Sequence, residues 1–393
     1  MEYESAVWKA MSNPVDGVET VRNFVKRVFS EDLHAKRVLS LADAALGVIT
    51  SASLAVSMIG HALARARGLI DKHAVKQVDR LLSNQGVQVW ELFAPWVRHA
   101  VGAREQILVA MDWTDFDADN QTTLALHLVT GHGRATPLVW LTVDKDELKN
   151  RRNDFEDACL SRLKECLPEG VAVTILADRG FGDVKLFAFL ESLGFDYAIR
   201  FRGNVQVAAE NGQTRPAADW VGAGGRARML REVEITAARR KVPAVVCVHA
   251  KDMKEPWCIA TSHRGATARE IVNHYSKRWT IEPGFRDAKN LRFGMGMSVL
   301  RIADPQRRDR LLLLSALAVV LLTLLGAAGE SLGFDRLLKS NTSKRRTHSL
   351  FRQGCLLYDL IPNMPEHRWR PLIEKYAELL SQNSLFTQTF GLI

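Results

Sequence analysis

Gln106-Ile-Leu-Val-Ala-Met-Asp112-Trp-Thr and Val173-Thr-Ile-Leu-Ala-Asp178-Arg-Gly decide the fold of this chain. Each is a short apolar run that delivers a carboxylate at its end. Continuous runs of this length predict strands buried on both faces, as in a sheet covered by helices. Outward from the first run, residues 122–130 and 136–143 are also β-like, and Gly131-His-Gly133 supplies a hairpin turn between them. A helix is expected over about 150–167, with apolar positions at Phe155, Ala158, Cys159, Leu163 and Cys166. A strand at 171–177, a helix at 184–193 and a strand at 197–201 follow. Three strands in a meander, then helix, strand, helix and strand, make an α/β arrangement with a mixed sheet.

The flanks differ. The first hundred residues carry helical apolar spacing, as at Val18, Val21, Phe24, Val25 and Val28. Gly68 suits a helix C-cap, and a basic helix then opens near Asp71. That pair fits a helix-turn-helix or an ordinary helical hairpin equally well. Residues 203–252 are rich in Gly, Ala and Arg, with β-like pieces at 231–236 and 242–248, and are expected to form a mostly β insertion. Trp257-Cys-Ile-Ala-Thr261 returns to a strand, and Thr267 caps the next helix. Leu311 to Ala328 is almost wholly apolar, just short of a comfortable membrane span, and is expected to be a buried core helix. The tail from Ser331 is expected to be helical in part; its Lys344-Arg-Arg346 is a solvated loop or a phosphate contact. The expected division is 1–105 helical, 106–202 first part of the core, 203–252 insertion, 253–330 second part of the core, and 331–393 helical tail.

The chain has 393 residues, 47% of them hydrophobic, enough for sizeable cores and against a disordered state. A net charge of +9 agrees with an acidic partner such as nucleic acid without requiring one. Five cysteines form no Cys-x-x-Cys pair, and no two histidines are four apart, so neither a disulfide frame nor a zinc site is indicated. The N-terminus has no signal-peptide pattern. A phosphate loop of the Gly-x4-Gly-Lys-Ser/Thr type is absent.

Strand-end aspartates gather where ligands bind in α/β sheets, and two carboxylates side by side repel unless a cation lies between them. Mg²⁺ takes such oxygen ligands, and two ions can activate a water or a 3′-hydroxyl for in-line displacement at phosphorus. A third carboxylate has company. Tyr275, Arg278, Glu282 and Lys289 return to nearly the same face of an ideal helix. Glu282 can complete a metal site with Asp112 and Asp178. Arg278 and Lys289 can hold phosphates, Tyr275 can donate to a phosphate oxygen, and Trp279 offers a ring to a base. Trp279 can equally be core, and Trp220 in the insertion is a weaker second ring. Arg179 and Arg202 follow strands near the site and either touch DNA or pair with acids. Pro283 and Gly284 predict a bend at Glu282. Asp115, Asp117 and Asp119 are expected to be solvated acids of a turn, and Asp183 a helix N-cap.

At these residues the chain resembles the DDE transposases of bacterial insertion sequences, and more narrowly the insertion-sequence-four group with its Tyr-x2-Arg-x3-Glu-x6-Lys signature. Tyr275, Arg278, Glu282 and Lys289 match that spacing in full, and the surroundings of Asp112 and Asp178 resemble the group's two aspartate motifs. The resemblance implies an RNase H-like catalytic core with a β insertion between the second aspartate and the glutamate, and a helical N-terminal DNA-binding domain. It implies cut-and-paste DNA transposition with catalytic Asp112, Asp178 and Glu282 holding two Mg²⁺ ions, with Mn²⁺ as a substitute. It further implies binding of double-stranded DNA with terminal inverted repeats, a homodimer in the synaptic complex, a bacterial cytoplasmic location at the nucleoid, and no membrane partner. The alternatives are a domesticated, catalytically inactive DNA-binding protein of the same fold and, more remotely, a membrane-associated protein using residues 311–328.

Overall fold

The structure is a computed structural model that describes residues 15–236 and 239–381. The expectations for residues 1–14 and 382–393 lie outside the described residues. Among the described residues five helices come first: α1 (Val15–Phe29), α2 (Ala35–Ser51), α3 (Val56–Arg67), α4 (Asp71–Leu82) and α5 (Val89–Val101). Gly68 ends α3 in the left-handed conformation at φ 65°, the region glycine enters without a Cβ penalty. Asp71 is the first residue of α4, with Ile70 in the cap position. Gly60 of α3 lies so close to Val75 of α4 that a methyl group there would collide with the Val75 backbone.

The sheet begins with β1 (Gln106–Phe116), β2 (Gln121–Val129) and β3 (Ala135–Asp144), an antiparallel meander. Next come α6 (Arg152–Cys166), β4 (Ala172–Ala177), α7 (Val184–Ser192) and β5 (Asp196–Phe201). β4 pairs parallel to β1, and β5 parallel to β4. The insertion supplies β6 (Gln206–Ala208), β7 (Thr214–Pro216), β8 (Arg228–Ile235) and β9 (Arg240–Val248), and β10 (Trp257–Thr261) follows. All ten strands form one mixed sheet, ordered β3-β2-β1-β4-β5-β10-β9-β8-β6-β7. The 3-2-1-4-5 half is compatible with an RNase H-like core. The insertion prolongs this sheet; it does not stand apart from it.

Strand alternation sorts the core into two layers. Ile107, Val109, Met111, Val173, Ile175 and Ala177 pack with the N-terminal helices, α6 and α7. Leu108, Ala110, Leu176, Ala198 and Ile259 pack on the opposite face with Ile271, Tyr275 and Ile281. Those last three lie on α8 (Ala268–Ser276) and α9 (Ile281–Lys289). Thr267 caps α8 with a full capping box, its hydroxyl taking the Glu270 N–H and Glu270 returning to the Thr267 N–H.

α10 (Pro305–Ser331) is the apolar helix expected near 311–328. It is long and apolar enough to cross a membrane, yet most of its surface is buried inside the protein. It packs on α2, β3, α11 (Leu350–Leu360) and α12 (Glu366–Ser381). Where α10 crosses α11, a methyl group at Gly326 would strike the Leu350 carbonyl and one at Gly354 the Leu322 carbonyl. Glycine at both positions is what brings these backbones into contact. The five cysteines are buried free thiols.

Several local expectations need correction. Asp115 and Asp117 are exposed, each ion-paired with Lys145, but Asp119 is no solvated turn acid: its carboxylate is buried on Arg308 at 2.5 Å. Trp220 is 1% exposed, its ring nitrogen donating to the Val207 carbonyl, so it is core of the insertion and offers no face to a base. Arg346 is ion-paired with Glu330. As expected, Asp183 is the N-cap of α7, accepting from the Lys185 N–H.

Candidate active site

The two aspartates meet because two apolar runs pair in parallel. Met111 lies opposite Ala177, so Asp112 and Asp178 come next on neighbouring strands. Asp112 shares the parity of Leu108 and Ala110, which puts its carboxylate on the face covered by α8 and α9. Each carboxylate is steadied by a backbone donor close by in the chain. Trp113 N–H reaches Asp112 Oδ1 at 2.9 Å, and Gly180 N–H reaches Asp178 Oδ1 at 2.7 Å.

Glu282 arrives by a different route. The segment Tyr275 to Lys289 is not one helix bent at Pro283. α8 ends at Ser276, Lys277–Thr280 winds as a 3-10 turn, and α9 starts at Ile281. Pro283 is therefore the third residue of α9, where its missing N–H has no helical partner to lose. The change of winding falls before Glu282, and a 3-10 turn advances more angle per residue than an α-helix. It turns Arg278 inward, and Glu282 stays half exposed at the rim of the site.

Arg278 joins the first and third acids. Its side chain is 7% exposed, with one nitrogen 3.2 Å from Asp112 Oδ2 and the other 3.5 Å from Glu282 Oε1. Among the described residues Asp178 has no ion-pair partner. Burial raises the Asp112 carboxyl to about 6; Arg278 opposes that shift, and the negative charges of Asp178 and Glu282 add to it. Asp112 thus feels the charges of the other two acids.

The remaining residues expected at the site fall in two groups. Tyr275 is fully buried, its hydroxyl beside Arg278, and in this structure it presents nothing to a DNA phosphate; burial raises its phenol. Lys289 Nζ donates to Thr114 Oγ1 at 3.0 Å and to the Asp115 carbonyl at 2.5 Å, and lies 4.7 Å from the centre of the Phe116 ring. It ties α9 to the outer end of β1, and burial lowers its ammonium pKa. Trp279, by contrast, is 37% exposed, its ring 4.9 Å from Trp257 and 5.1 Å from the Arg278 guanidinium. Arg179 is exposed and paired with Glu255 at 2.9 Å, and Arg202 is exposed just past β5.

Other residues at the site carry no sequence signal of their own. Glu255 also pairs with Arg200 at 2.7 Å, and these arginines, Arg200 first, hold its carboxyl below the usual range. On the far face of the sheet, buried Glu156 of α6 accepts from Trp113 Nε1 at 2.9 Å and from Arg152 at 3.0 Å. Arg152 and Glu156 are a legible i,i+4 pair, but their contact with Trp113 is tertiary.

The donor set fits a hard divalent cation. It consists of oxygen ligands only, Asp178 and Glu282 each keep an oxygen outside the bonds just described, and the mutual repulsion felt at Asp112 is what a cation relieves. In this structure the Arg278 guanidinium provides the countercharge, and among the described residues no three acidic, histidine or cysteine side chains close to metal-binding distance.

A sheet of this order, with an acid inside β1, one just past the parallel β4 and a third from a facing helix, is compatible with an RNase H-like enzyme acting on phosphodiesters. A family model describing the transposase DDE domain matches residues 104–321, more than half of the chain, and the chain belongs to that family: it is a DDE transposase. No curated protein matches it.

Proposed function

We propose that the protein is an active transposase of the insertion-sequence-four type that moves its own element by cut-and-paste, with Asp112, Asp178 and Glu282 as the catalytic and metal-holding residues. The observation that carries this reading is the placement of Asp112 and Asp178 in register on parallel strands, with Arg278 joining Asp112 to Glu282. Two Mg²⁺ ions, or Mn²⁺ in their place, would supply an activated water or 3′-hydroxyl and stabilise the leaving oxygen.

The chain's own residues do the rest. Arg278 neutralises the acid pocket in the free protein and is the charge nearest a phosphate entering it. Tyr275 serves DNA binding from behind, by supporting Arg278. Lys289 fixes the outer end of β1 and lines the path of the DNA backbone. Trp279 offers its exposed face, backed by Trp257, to an unstacked base. Arg179 and Arg202 take backbone phosphates, with Arg179 exchanging Glu255 for DNA. Residues 1–105 form the DNA-binding domain, 106–202 and 253–330 the RNase H-like core, 203–252 the insertion, and 331–393 a DNA-contact or dimerisation region. The substrate is double-stranded DNA with terminal inverted repeats, paired by a homodimer in the cytoplasm of a bacterium.

Purified protein is expected to cut its element ends only with Mg²⁺ or Mn²⁺ present. Glu282→Ala should lower cleavage by at least about a thousandfold, since metal ligation supplies several kcal/mol at the transition state, while end binding persists. Undiminished cutting by that variant sinks the assignment. Arg278→Ala should weaken end binding and reduce the salt slope by about one phosphate contact; an unchanged slope removes its phosphate role.

A further inference from the structure

One side chain touches residues that flank both aspartates. Arg152 of α6 lies with its guanidinium carbon 5.5 Å from the centre of the Trp113 ring and 5.4 Å from that of Phe181. Trp113 directly follows Asp112, and Phe181 closes the 3-10 turn that Asp178 caps. Glu156, 5% exposed, locks this arrangement by accepting from both Arg152 and the Trp113 ring nitrogen. The backbone N–H of Trp113 holds the Asp112 carboxylate, and Gly180, inside the Phe181 turn, holds that of Asp178. One planar guanidinium thus lies near two rings that stand next to both peptide donors of the carboxylates. A lysine ammonium, without a flat face, cannot serve two rings this way.

We propose that Arg152, locked by Glu156, is a positioning residue that fixes the separation of Asp112 and Asp178 from the opposite face of the sheet and so prepares them to share a divalent cation. The proposal rests on the metal-holding role given above to the two aspartates. Outer partners that orient ligands set metal affinity without touching the metal.

The test is direct Mn²⁺ binding by the full-length protein without DNA, followed by loss of the free-ion electron paramagnetic resonance signal. Arg152→Ala should weaken binding about tenfold or more, and Arg152→Lys should recover only part of it. Cleavage of element ends by Arg152→Ala should need correspondingly more Mn²⁺ yet approach the wild-type rate at saturation, an effect that general loosening of the fold does not produce. If Arg152→Ala does not fold, Glu156→Gln is measured instead, and weaker Mn²⁺ binding is again expected. Binding within about twofold of wild type in a folded variant, or a cleavage defect that excess Mn²⁺ leaves untouched, overturns the proposal. Asp112→Asn separates the two readings. If it binds Mn²⁺ as well as wild type, the metal site itself is wrong; if it loses Mn²⁺ and Arg152→Ala does not, only the positioning role fails.

Discussion

Buried charge is handled differently at Asp112, inside β1, and just past the strand's outer end at Phe116. Beyond that end, where α10 begins, Arg308, Arg310 and Asp309 are each held by partners within the chain. Arg308, fully buried, is 2.5 Å from Asp119 and 2.6 Å from Gln121, over the Phe116 ring. Arg310 donates to the Val87 and Leu82 carbonyls. Asp309, which complete burial pushes up to about 8, accepts the Thr142 hydroxyl and N–H. Around Asp112 one guanidinium serves two of the three carboxylates, Asp112 and Glu282, and leaves Asp178 without an ion pair among the described residues. A structural cluster is balanced within the chain, whereas a cluster short of cations is balanced only when something from outside arrives. That contrast supports the proposal that the second is the working site.

The largest effect that tests this contrast is structural. Arg308→Ala strands Asp119 in the core and should cost about 3–5 kcal/mol in urea unfolding, with no relief from Mg²⁺. Relief by Mg²⁺ would mean that the outer cluster also takes a cation. Next comes pH. Asp112 binds its proton more tightly folded than unfolded, since its carboxyl is raised to about 6 from an ordinary 3.8. The stability this contributes is complete below pH 4 and is lost as pH rises through 6. In metal-free protein that loss should reach at most about 3 kcal/mol, and Asp112→Asn should flatten it. An unchanged pH slope in that variant would show that Asp112 is not the acid responsible. The smallest effect sharpens the comparison most. Arg278→Ala should cost about 2 kcal/mol in chelator, less than Arg308→Ala because Glu282 is half exposed, and saturating Mg²⁺ should recover much of the loss. A loss indifferent to Mg²⁺ would put Arg278 in the same class as Arg308.

The acid pocket was legible in the chain for a physical reason. An apolar run that leads into an aspartate announces both its geometry and its chemistry within a few residues, and two such runs pair readily, although β1 does not end at Asp112 but runs on to Phe116. The face that carries Tyr275, Arg278 and Glu282 was legible only in outline. A helical projection assumes one winding, and the 3-10 turn at 277–280 redistributes the four side chains, sending Tyr275 and Arg278 inward and leaving Trp279 at the surface. Asp119 was misjudged because its partner, Arg308, lies 189 residues away. Trp220 was misjudged because burial of a lone tryptophan in a Gly- and Arg-rich stretch depends on Val207 and two flanking arginines that no local pattern announces. The grip of Arg152 on Trp113 and Phe181 joins three separate segments and has no linear signature.

The pairing of β5 with β10 says something about how such a fold grows. The two strands run antiparallel, Phe201 opposite Cys258, which is the relation a short hairpin turn closes. Everything from β6 to β9 is therefore an arm spliced into what would otherwise be a simple turn, and it could be shed as one block without rethreading the core. What the arm leaves behind is its cost: β10 would become an open edge with its ladder of amides unpaired, an invitation to stick to another chain. The insertion thus shields the sheet it lengthens, whatever else it does for the enzyme.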